Sequence, residues 1–237
     1  MKILEHGGTG RLGSAICELA KSKEIEYIAV SFLEDIKEYH QADVIVDASV
    51  ASAVVPLAYY ARRKCIPMVI CTTGLSEKDF AELEEISKDI AILISSNMSL
   101  GVAVLNNLVK MASEVLFKHN FNIEIVETHH NKKIDAPSGT AIMLQNTINE
   151  SLNTILQPVY DRTNEKVARK ANEIGIHSIR AGSNFGEHSI IFAGDGETIE
   201  LTHKSLSREI FAKGALAAAD FVLTAPPKIY GINDILA

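Results

Sequence analysis

The amino-acid sequence predicts an α/β protein, with an N-terminal Rossmann-like parallel sheet followed by an α+β domain that has a mixed or open sheet. Three observations predict this class. Short apolar runs alternate with segments of helical length over the first 100 residues, a glycine-rich turn follows the first of these runs, and later runs alternate apolar with polar residues. Uniformly apolar strands are typical of parallel sheets covered on both faces, whereas alternating strands are typical of sheets with one open face.

Five apolar runs in the first 100 residues predict the strands of the parallel sheet. They are KIL, IEYIAVS, ADVIVDAS, IPMVICTT and AILISS. The segments between them have helical length, and the clearest helix spans residues 76–88, SEKDFAELEEISK. Ser76 is a suitable N-cap with Asp79 three residues later, and apolar side chains recur at helical spacing at Phe80, Leu83 and Ile86.

The pattern changes after a second clear helix, SLGVAVLNNLVKMASEVLF. Residues 121–128, FNIEIVET, alternate strictly, and GIHSIRAGS, EHSIIFAGD and TIELTHKSL continue a strand-rich block with glycines at the turns. One face of this sheet is expected to meet solvent or a partner. A closing helix, SREIFAKGALAAADFVLT, ends before the prolines of APPKIYG. We expect a first domain over residues 1–99, rejoined by residues 207–237, and a second domain over residues 100–206.

The composition is that of an ordinary globular protein and excludes two classes of partner. The chain has 237 residues, of which 47% are apolar and 22% charged, with a formal net charge of -7. Nucleic acid and anionic membranes both require a broad cationic surface, so we expect neither as a partner. We expect that no apolar run approaches the roughly 20 residues of a membrane span, and the N-terminus enters a strand at once. We therefore expect a cytoplasmic protein without a signal peptide.

The glycine-rich turn, HGGTGRLGSAI over residues 6–16, follows the first strand and opens a helix. Gly7, Gly10 and Gly13 have the G-x-x-G-x-x-G spacing of a tight turn whose helix N-terminus can accept a pyrophosphate. In this context the turn predicts dinucleotide binding by the first domain. The alternative is a turn selected only for close packing.

The sequence leaves the choice of nucleotide open. Ser31 and Phe32 stand at the end of the second strand, where an acidic residue would hold the ribose hydroxyls of NAD, and Glu34 and Asp35 come only later. Arg11 could meet the 2'-phosphate of NADP or could be a solvated surface arginine. His6 is a bulky residue before the first glycine, and we expect a packed histidine there rather than a catalytic one.

A second polar segment, ETHHNKKIDAPSGTA, begins where the alternating strand ends and leads into a helix near Ser138, Gly139 and Thr140. The free N–H groups of a helix N-terminus bind anions, and glycine lets a ligand approach the backbone closely. Asp135 is expected to anchor the loop by accepting backbone hydrogen bonds. With Lys133 or His130 as a second anchor, the loop could hold a small dianion.

The same segment offers groups for proton transfer, although each has a simpler interpretation. Histidine exchanges a proton near neutral pH, and a lysine held among other cations releases its proton more readily. Lys132 and Lys133 could instead be solvated charges, and at least one of them is expected to be so. His129 and His130 point to opposite sides of a continuing strand, and the chain has no HExxH pattern, so we expect no metal. Cys17, Cys65 and Cys71 lack CxxC spacing in apolar contexts and are expected to be reduced core residues.

This segment matches without a gap the pattern E-x-H-H-x-x-K-x-D-A-P-S-G-T-A, and the chain resembles the 4-hydroxy-tetrahydrodipicolinate reductases of bacterial lysine and diaminopimelate synthesis. The resemblance extends to GGTGRLG, CTTG, SSNMSLGV, IRAGSNFGEH and ELTHKSLSREIFAKGA, and so covers nearly the whole chain. It implies reduction of 4-hydroxy-tetrahydrodipicolinate, a cyclic dicarboxylate, to tetrahydrodipicolinate by NADH or NADPH with loss of water. Three departures concern the cofactor: the missing ribose-binding acid, Cys71 where glycine is usual, and Met98 where an aromatic residue is common.

The resemblance also implies a role for individual residues. His129 would be the proton donor or acceptor and Lys133 the general acid, while His130, Gly139 and Thr140 would hold the substrate. The family commonly forms a homotetramer through the sheet of the second domain. The residues implied at the cofactor are Gly7, Gly8, Thr9, Gly10, Arg11, Leu12, Cys71, Thr72, Thr73, Ser95, Ser96, Asn97 and Met98.

Two other functions remain open at this point. One is a different Rossmann-type amino-acid dehydrogenase, which oxidation of a free amino acid would reveal. The other is a non-enzymatic nucleotide sensor that has kept the fold. Loss of the histidine or the lysine would be expected in a sensor, and both residues are present.

Overall fold

The structure, a computed structural model, describes residues 1–31, 42–163 and 166–236. Its strands are β1 (Lys2–His6), β2 (Glu26–Val30), β3 (Val44–Asp47), β4 (Met68–Ile70), β5 (Ile92–Ile94), β6 (Asn122–His129), β7 (Gln157–Val159), β8 (Glu173–Arg180), β9 (Glu187–Ala193), β10 (Thr198–Lys204) and β11 (Ile229–Tyr230). Its α-helices are α1 (Arg11–Ser22), α2 (Ala51–Lys64), α3 (Glu77–Ile86), α4 (Leu100–Leu116), α5 (Gly139–Leu152) and α6 (Glu209–Val222).

The chain folds into two compact units. The first unit comprises Met1–Leu100 and Arg208–Ala237, and the second comprises Gly101–Ser207. The C-terminal segment therefore returns to the first unit, where α6 packs beside α1 and β11 pairs with β5. These limits differ by one residue from those expected from the sequence.

The first unit contains a six-stranded sheet in which every pairing is parallel, in the order β11-β5-β4-β3-β1-β2. The chain runs from β1 outward to β2 and then returns to β3 on the other side of β1, so the direction of winding reverses between β1 and β3. Apolar clusters cover both faces of the sheet, one with α1 and α6 and the other with α2 and α3. The predicted Rossmann-like sheet is confirmed.

The second unit contains a five-stranded mixed sheet in the order β10-β9-β6-β8-β7. Its central strand, β6, is parallel to β8 and antiparallel to β9. One face buries Ile123 and Ile125 against α4 and α5, as the alternating pattern predicts. The side chains that point the other way, which we call the open face, are half-buried or exposed: Val126, Thr128, His177, Ile179, Ser189 and Ile191.

The N-terminus of α3 has the capping box that the sequence predicts. Ser76 Oγ accepts from the Asp79 N–H at 3.2 Å, and the Asp79 carboxylate accepts from the Ser76 N–H at 2.8 Å. Two short strands were missed, because three residues in β7 and two in β11 cannot show a periodicity. The expectation for Cys65 was wrong: Cys65 ends α2 in the left-handed conformation, with φ 55°, and its thiol is exposed, whereas Cys17 and Cys71 are buried.

Helix α4 and the turn after it, Leu100–His119, are long and apolar enough to cross a membrane, with a mean hydropathy of 1.4. A core helix can have the same composition, and α4 buries Leu105 and Val109 in the core of the second unit. Its polar residues Lys110 and Glu114 interrupt the apolar sequence.

Candidate active site

The carboxyl ends of the parallel strands lie at one edge of the first sheet, and the glycine-rich turn follows β1 at the point where the winding reverses. The Gly7 N–H donates to the Val30 carbonyl at 3.0 Å, and the Gly10 N–H donates to the Gly7 carbonyl at 2.8 Å. Gly7 has φ +99°, which favours glycine. A side chain on Gly13 would place its Cβ 2.3 Å from the Gly7 carbonyl oxygen, so only glycine lets α1 approach the turn this closely.

The N-terminus of α1 is suited to bind an anion. Gly10 is its N-cap, so no side chain caps the first N–H groups, and the first turn has no acidic residue. Thr9, Gly10 and Arg11 are exposed. This uncapped and uncrowded turn fits the pyrophosphate of a dinucleotide. Next to it is a cavity of about 200 Å³, lined by Arg11, Leu12, Ala15, Arg208 and Phe211.

A buried carboxylate joins three of the loops at this edge. Asp47, at the end of β3, is fully buried and lies 2.6 Å from His6 Nδ1. Ser49 Oγ donates to Asp47 at 2.6 Å, and Thr72 Oγ1 donates to its other oxygen. His6, which is also fully buried, thus connects the glycine turn to the loops after β3 and β4. This pairing explains a bulky residue before Gly7.

The other residues that the family resemblance implies at the cofactor differ in the exposure of their side chains. Cys71 and Met98 are buried in the core of the first unit, so these two positions present mainly their backbone at the sheet edge. Burial also raises the pKa of the Cys71 thiol well above its usual value. Thr73 and Ser96 are exposed, and the loop after β5 is held by a hydrogen bond from Ser95 Oγ to the Asn97 carbonyl at 2.8 Å. Phe32, Glu34 and Asp35 lie outside the described residues.

One unexpected group lies beneath the glycine turn. Glu5 is fully buried, and neither of its carboxyl oxygens has a hydrogen-bond partner among the described residues. Burial and the charge of Asp47 raise the pKa of Glu5 well above its usual value, which favours the neutral carboxyl in the folded protein. A charged residue inside the strand KILEH was the available sequence signal.

In the second unit, the end of β6 brings a histidine and a carboxylate together. Glu127 and His129 are two residues apart on a strand and therefore share one face. His129 Nδ1 lies 2.6 Å from Glu127 Oε2. Both residues are buried, Glu127 fully and His129 with 9% of its surface exposed. The histidine is thus held at one ring nitrogen.

Arg180 holds the other side of the same carboxylate. The register of β6 and β8 places Arg180 opposite His129, and its guanidinium donates to both Glu127 oxygens at 2.8 and 2.7 Å. Arg180 also donates to the Asp135 carbonyl at 2.7 Å, which ties the polar loop to the sheet. Burial alone would raise the pKa of Glu127, but hydrogen bonds from Arg180, Ser178 and His129 outweigh it and lower that pKa to about 2.

His188, on β9, connects His129 to the N-terminus of α5. The two imidazole rings meet edge to face, with centroids 5.2 Å apart. His188 Nε2 lies 2.9 Å from Ser138 Oγ, and this oxygen caps α5 by accepting from the Ala141 N–H at 3.2 Å. Burial and the charge of His129 lower the pKa of His188 to about 4, so His188 is neutral at pH 7.

The two lysines of the loop differ in their surroundings. Lys133 Nζ lies 2.9 and 2.8 Å from the two carboxylate oxygens of Asp135, whereas Lys132 is exposed. The Asp135 carboxylate accepts a backbone hydrogen bond, as expected, but its main partner is the Lys133 ammonium group, because a charged donor binds a carboxylate more strongly than a neutral N–H. We expected a catalytic lysine to lie among other cations, but Lys133 binds an anion, the Asp135 carboxylate. Burial lowers the pKa of His129, and the charges of Lys133 and Arg180 act in the same direction, against that of Glu127.

The residues implied to hold the substrate lie in the same loop and at the start of α5. His130 is partly buried, and its Nδ1 has no hydrogen-bond partner among the described residues. Gly139 is the first residue of α5, and among the described residues a Cβ added there would meet no atom within 4 Å. Thr140 follows it in the first turn. There is thus open space beside the backbone at this helix N-terminus.

Sequence reasoning passed over Glu127, Arg180 and His188 as functional residues. Glu127 lies within the polar segment itself, but Arg180 is 53 residues away from it in the chain. Strand pairing brings them together, and register is not visible in the alternation of a single strand. The signal that could have found Arg180 is a charged residue at the end of a strand, immediately before a glycine-containing turn.

Together, the first unit has the architecture of a Rossmann nucleotide-binding domain, and the second contains titratable groups suited to proton transfer. The class of protein is therefore a pyridine-nucleotide-dependent oxidoreductase. Residues 1–98 match the family described as dihydrodipicolinate reductase, N-terminus, and residues 101–236 match dihydrodipicolinate reductase, C-terminus. The chain belongs to the dihydrodipicolinate reductase family.

Relatives named 4-hydroxy-tetrahydrodipicolinate reductase are similar over the full length. The protein of Caldanaerobacter subterraneus is 44% identical, with 100% of this chain and 98% of the relative covered. That of Brachyspira hyodysenteriae is 43% identical, with 100% of both covered. The dipicolinate-bound dihydrodipicolinate reductase from Paenisporosarcina sp. TG-14 has the same fold, with a TM-score of 0.82 at 20% identity, covering 98% of this chain and 97% of that one. The activity is thus reduction of 4-hydroxy-tetrahydrodipicolinate in lysine and diaminopimelate synthesis, in preference to the two alternatives.

Proposed function

We propose that the second unit performs this reduction with His129 and Lys133 as its proton-transfer groups. One observation carries the assignment. His129, at the end of β6, is held by Glu127 at 2.6 Å, Lys133 is held by Asp135 at 2.8 and 2.9 Å in the loop that follows, and the same loop ends at the N-terminus of α5. Two titratable groups of different ordinary pKa therefore lie beside an anion-binding helix end.

The proposed substrate grip uses His130, Gly139 and Thr140. The N–H group of Gly139 belongs to the first turn of α5, where no carbonyl of the helix can accept from it. It can donate to one carboxylate, in the space that a Cβ on Gly139 would enter, and Thr140 is proposed to contact the same carboxylate. His130, in the loop before α5, is proposed to contact a second polar or anionic group of the ligand. Two separate contacts, one at the N-terminus of α5 and one at His130, suit a small cyclic dicarboxylate.

The reaction consumes one hydride and one proton and releases one water. A bound reduced nicotinamide nucleotide supplies the hydride. Lys133 is the proposed acid that neutralises the charge left on the substrate nitrogen or on the departing oxygen, and His129 is the proposed proton donor or acceptor. Asp135 keeps the Lys133 ammonium in place through its two contacts.

The proposed nucleotide site is the edge of the first sheet. The turn from Gly7 to Leu12 would hold the pyrophosphate, and the loops after β4 and β5 would line the nicotinamide side through Cys71–Thr73 and Ser95–Met98. The proposal covers both NADH and NADPH. Arg11, exposed at the start of α1, is the candidate contact for a 2'-phosphate.

We also propose that the chain works in the cytoplasm as a homotetramer that associates through the open face of the second sheet. This face carries Val126, Ile179 and Ile191, and 46% of the surface of Ile179 is exposed. Apolar side chains on an exposed sheet face favour association with a second surface.

A coupled assay tests the activity and the cofactor choice together. The unstable substrate is generated from pyruvate and aspartate semialdehyde by the preceding synthase, and the absorbances of NADH and NADPH are followed in separate reactions. We expect oxidation that requires both the synthase and pyruvate. Oxidation of neither nucleotide would contradict the proposal, and the ratio of the two rates measures the preference.

A further inference from the structure

We propose that Glu127, clamped by Arg180, fixes His129 in the tautomer that carries its proton on Nδ1, so that Nε2 alone exchanges the catalytic proton, and that Gly186 keeps Nε2 accessible. Glu127 and Arg180 are then positioning residues. The inference rests on the proton-transfer role proposed for His129, but the tautomer itself can be measured without any reaction.

Glu127 is surrounded by hydrogen-bond donors. Its oxygens accept from both terminal nitrogens of Arg180 at 2.8 and 2.7 Å, and Oε1 also accepts from the Ser138 N–H at 3.2 Å. An arginine cannot accept a proton back, and a backbone N–H can only donate. The carboxylate is therefore surrounded by donors and stays ionised.

The charge of Glu127 determines which ring nitrogen of His129 carries the hydrogen. An ionised carboxylate can only accept hydrogen bonds, so the 2.6 Å contact to His129 requires a hydrogen on Nδ1. A neutral His129 then has a bare lone pair on Nε2, and a protonated His129 gains its additional hydrogen there. Carboxylates orient imidazoles in this way in catalytic triads and at metal sites.

Gly186 lies beside Nε2 of His129 and leaves this nitrogen accessible. A Cβ on Gly186 would lie 3.0 Å from His129 Nε2, closer than an ordinary van der Waals contact. The ring cannot swing away without breaking its bond to Glu127. Gly186 also has φ +146°, which disfavours a side chain, and its backbone is fixed by bonds to Asn184 and Ser205. Glycine at this position thus leaves the working nitrogen uncovered.

The charged and titratable groups facing His129 set the expected pH response. They are Glu127 on its own strand, Arg180 on β8, His188 on β9 and Lys133 in the loop. Of these, Glu127 is the one that favours the protonated imidazole. Removing its charge must therefore lower the pKa of His129 further.

The direct test is side-chain ¹⁵N NMR of the histidines at pH 8, with His129 assigned by the signal lost in His129→Gln. We expect a protonated Nδ1 and an unprotonated Nε2 in the wild-type protein, and a mixture of tautomers in Glu127→Gln. A wild-type His129 with its proton on Nε2 would overturn the inference, whether or not any variant folds.

Kinetics provide the second test. Glu127→Gln should lower kcat roughly 10- to 100-fold, part of the about 10²–10⁴-fold that acid–base catalysis contributes, and should move the His129 limb of the pH profile to lower pH. The KM of the nucleotide should not change. Gly186→Ala should also lower kcat while the His129 tautomer stays as in the wild type.

Glu124→Gln is the matched control. Glu124 lies on the same strand and also binds an arginine and a histidine, Arg169 at 3.1 Å and His177 at 2.8 Å, on the opposite face. We expect an unchanged kcat and pH profile. Equal losses in the two variants would overturn the positioning role. If His129 has the expected tautomer but His129→Gln is fully active, the role proposed for His129 fails while the tautomer assignment stands.

Discussion

Lys132 and Lys133 are adjacent in the chain but differ in the contacts that matter for proton transfer. The Lys133 side chain has 21% of its surface exposed and binds both oxygens of Asp135, whereas Lys132 points into solvent. An acid must be held at one place relative to the atom that it protonates, because small displacements strongly reduce the rate. At the residue scale, only Lys133 meets this condition.

This difference gives a prediction with an internal control. Lys133→Ala should lower kcat by about 10²–10⁴-fold, the contribution of a general acid, with nucleotide affinity nearly unchanged. Lys132→Ala should have nearly wild-type kcat, since it removes only a solvated charge. The measurement is steady-state kinetics in the coupled assay, with nucleotide titration by fluorescence. Wild-type turnover in Lys133→Ala would remove this residue from the mechanism.

Glu5 gives a prediction about stability. Because the pKa of Glu5 is raised in the folded protein, its neutral form is favoured there, while the unfolded chain ionises at the ordinary value. The free energy of unfolding should therefore fall as pH rises above about 4.5, until the folded pKa is reached. Glu5→Gln removes this dependence.

We expect the Tm advantage of Glu5→Gln over the wild type to grow as pH rises above about 4.5, because the unfolded wild-type chain ionises there while the folded carboxyl is held neutral, and to be smallest at pH well below that value. Thermal unfolding across this range measures the difference. Exposed Glu77→Gln is a control that should leave the pH dependence unchanged. A Glu5 variant whose Tm runs parallel to that of the wild type would contradict the neutral carboxyl.

At the scale of elements, the N-terminus of α5 combines a rigid start with open space. Ser138 caps the helix and is itself held by His188 and Glu127, so the first turn has a fixed direction. A Cβ at Gly139 would meet no atom within 4 Å in the described part of the chain. The glycine is therefore not required by the packing of the second unit, and a ligand explains it better.

Gly139→Val should keep the stability of the protein within about 0.5 kcal/mol and raise the KM of the substrate roughly tenfold or more, the equivalent of one hydrogen bond to a charged group. Asn146→Val, an exposed position two turns along the same helix, is the control and should leave KM unchanged. Thermal unfolding and steady-state kinetics measure both effects. An unchanged KM in Gly139→Val would argue against a carboxylate at this helix end.

At the scale of the whole molecule, the second unit has one sheet face covered by helices and one open face. Ile191 lies near the middle of the open face, between Glu124 on β6 and Glu200 on β10. A lysine at this position would have two carboxylates as neighbours and should be tolerated within one chain. A partner sheet would have to bury that charge, which is costly.

Ile191→Lys should therefore fold normally but shift the protein from tetramers toward smaller species. Size-exclusion chromatography with light scattering measures the mass, and circular dichroism checks the fold. Leu206→Lys, which changes an exposed apolar residue with 84% of its surface accessible, tests whether any added lysine has this effect. Tetramers of Ile191→Lys as stable as those of the wild type would place the interface elsewhere.

The fold class, the glycine turn at the start of α1, the capping box of α3 and the polar loop that carries the histidines and lysines could all be predicted from the sequence. These features are local: periodicity, glycine spacing and capping residues act over a few positions, so they can be recognised in one stretch of chain. The motif also identified the family, because all eleven specified positions of its fifteen-residue pattern match.

Which groups act on one another follows from the tertiary structure. His6 pairs with Asp47 across 41 positions, and Glu127 pairs with Arg180 across 53. Such partners depend on the order and register of strands, which a single strand does not encode. Folding likewise makes Lys133 less exposed than Lys132 and raises the pKa of Glu5, because the free energy of a charge depends on the solvent and on the neighbours that folding gives it.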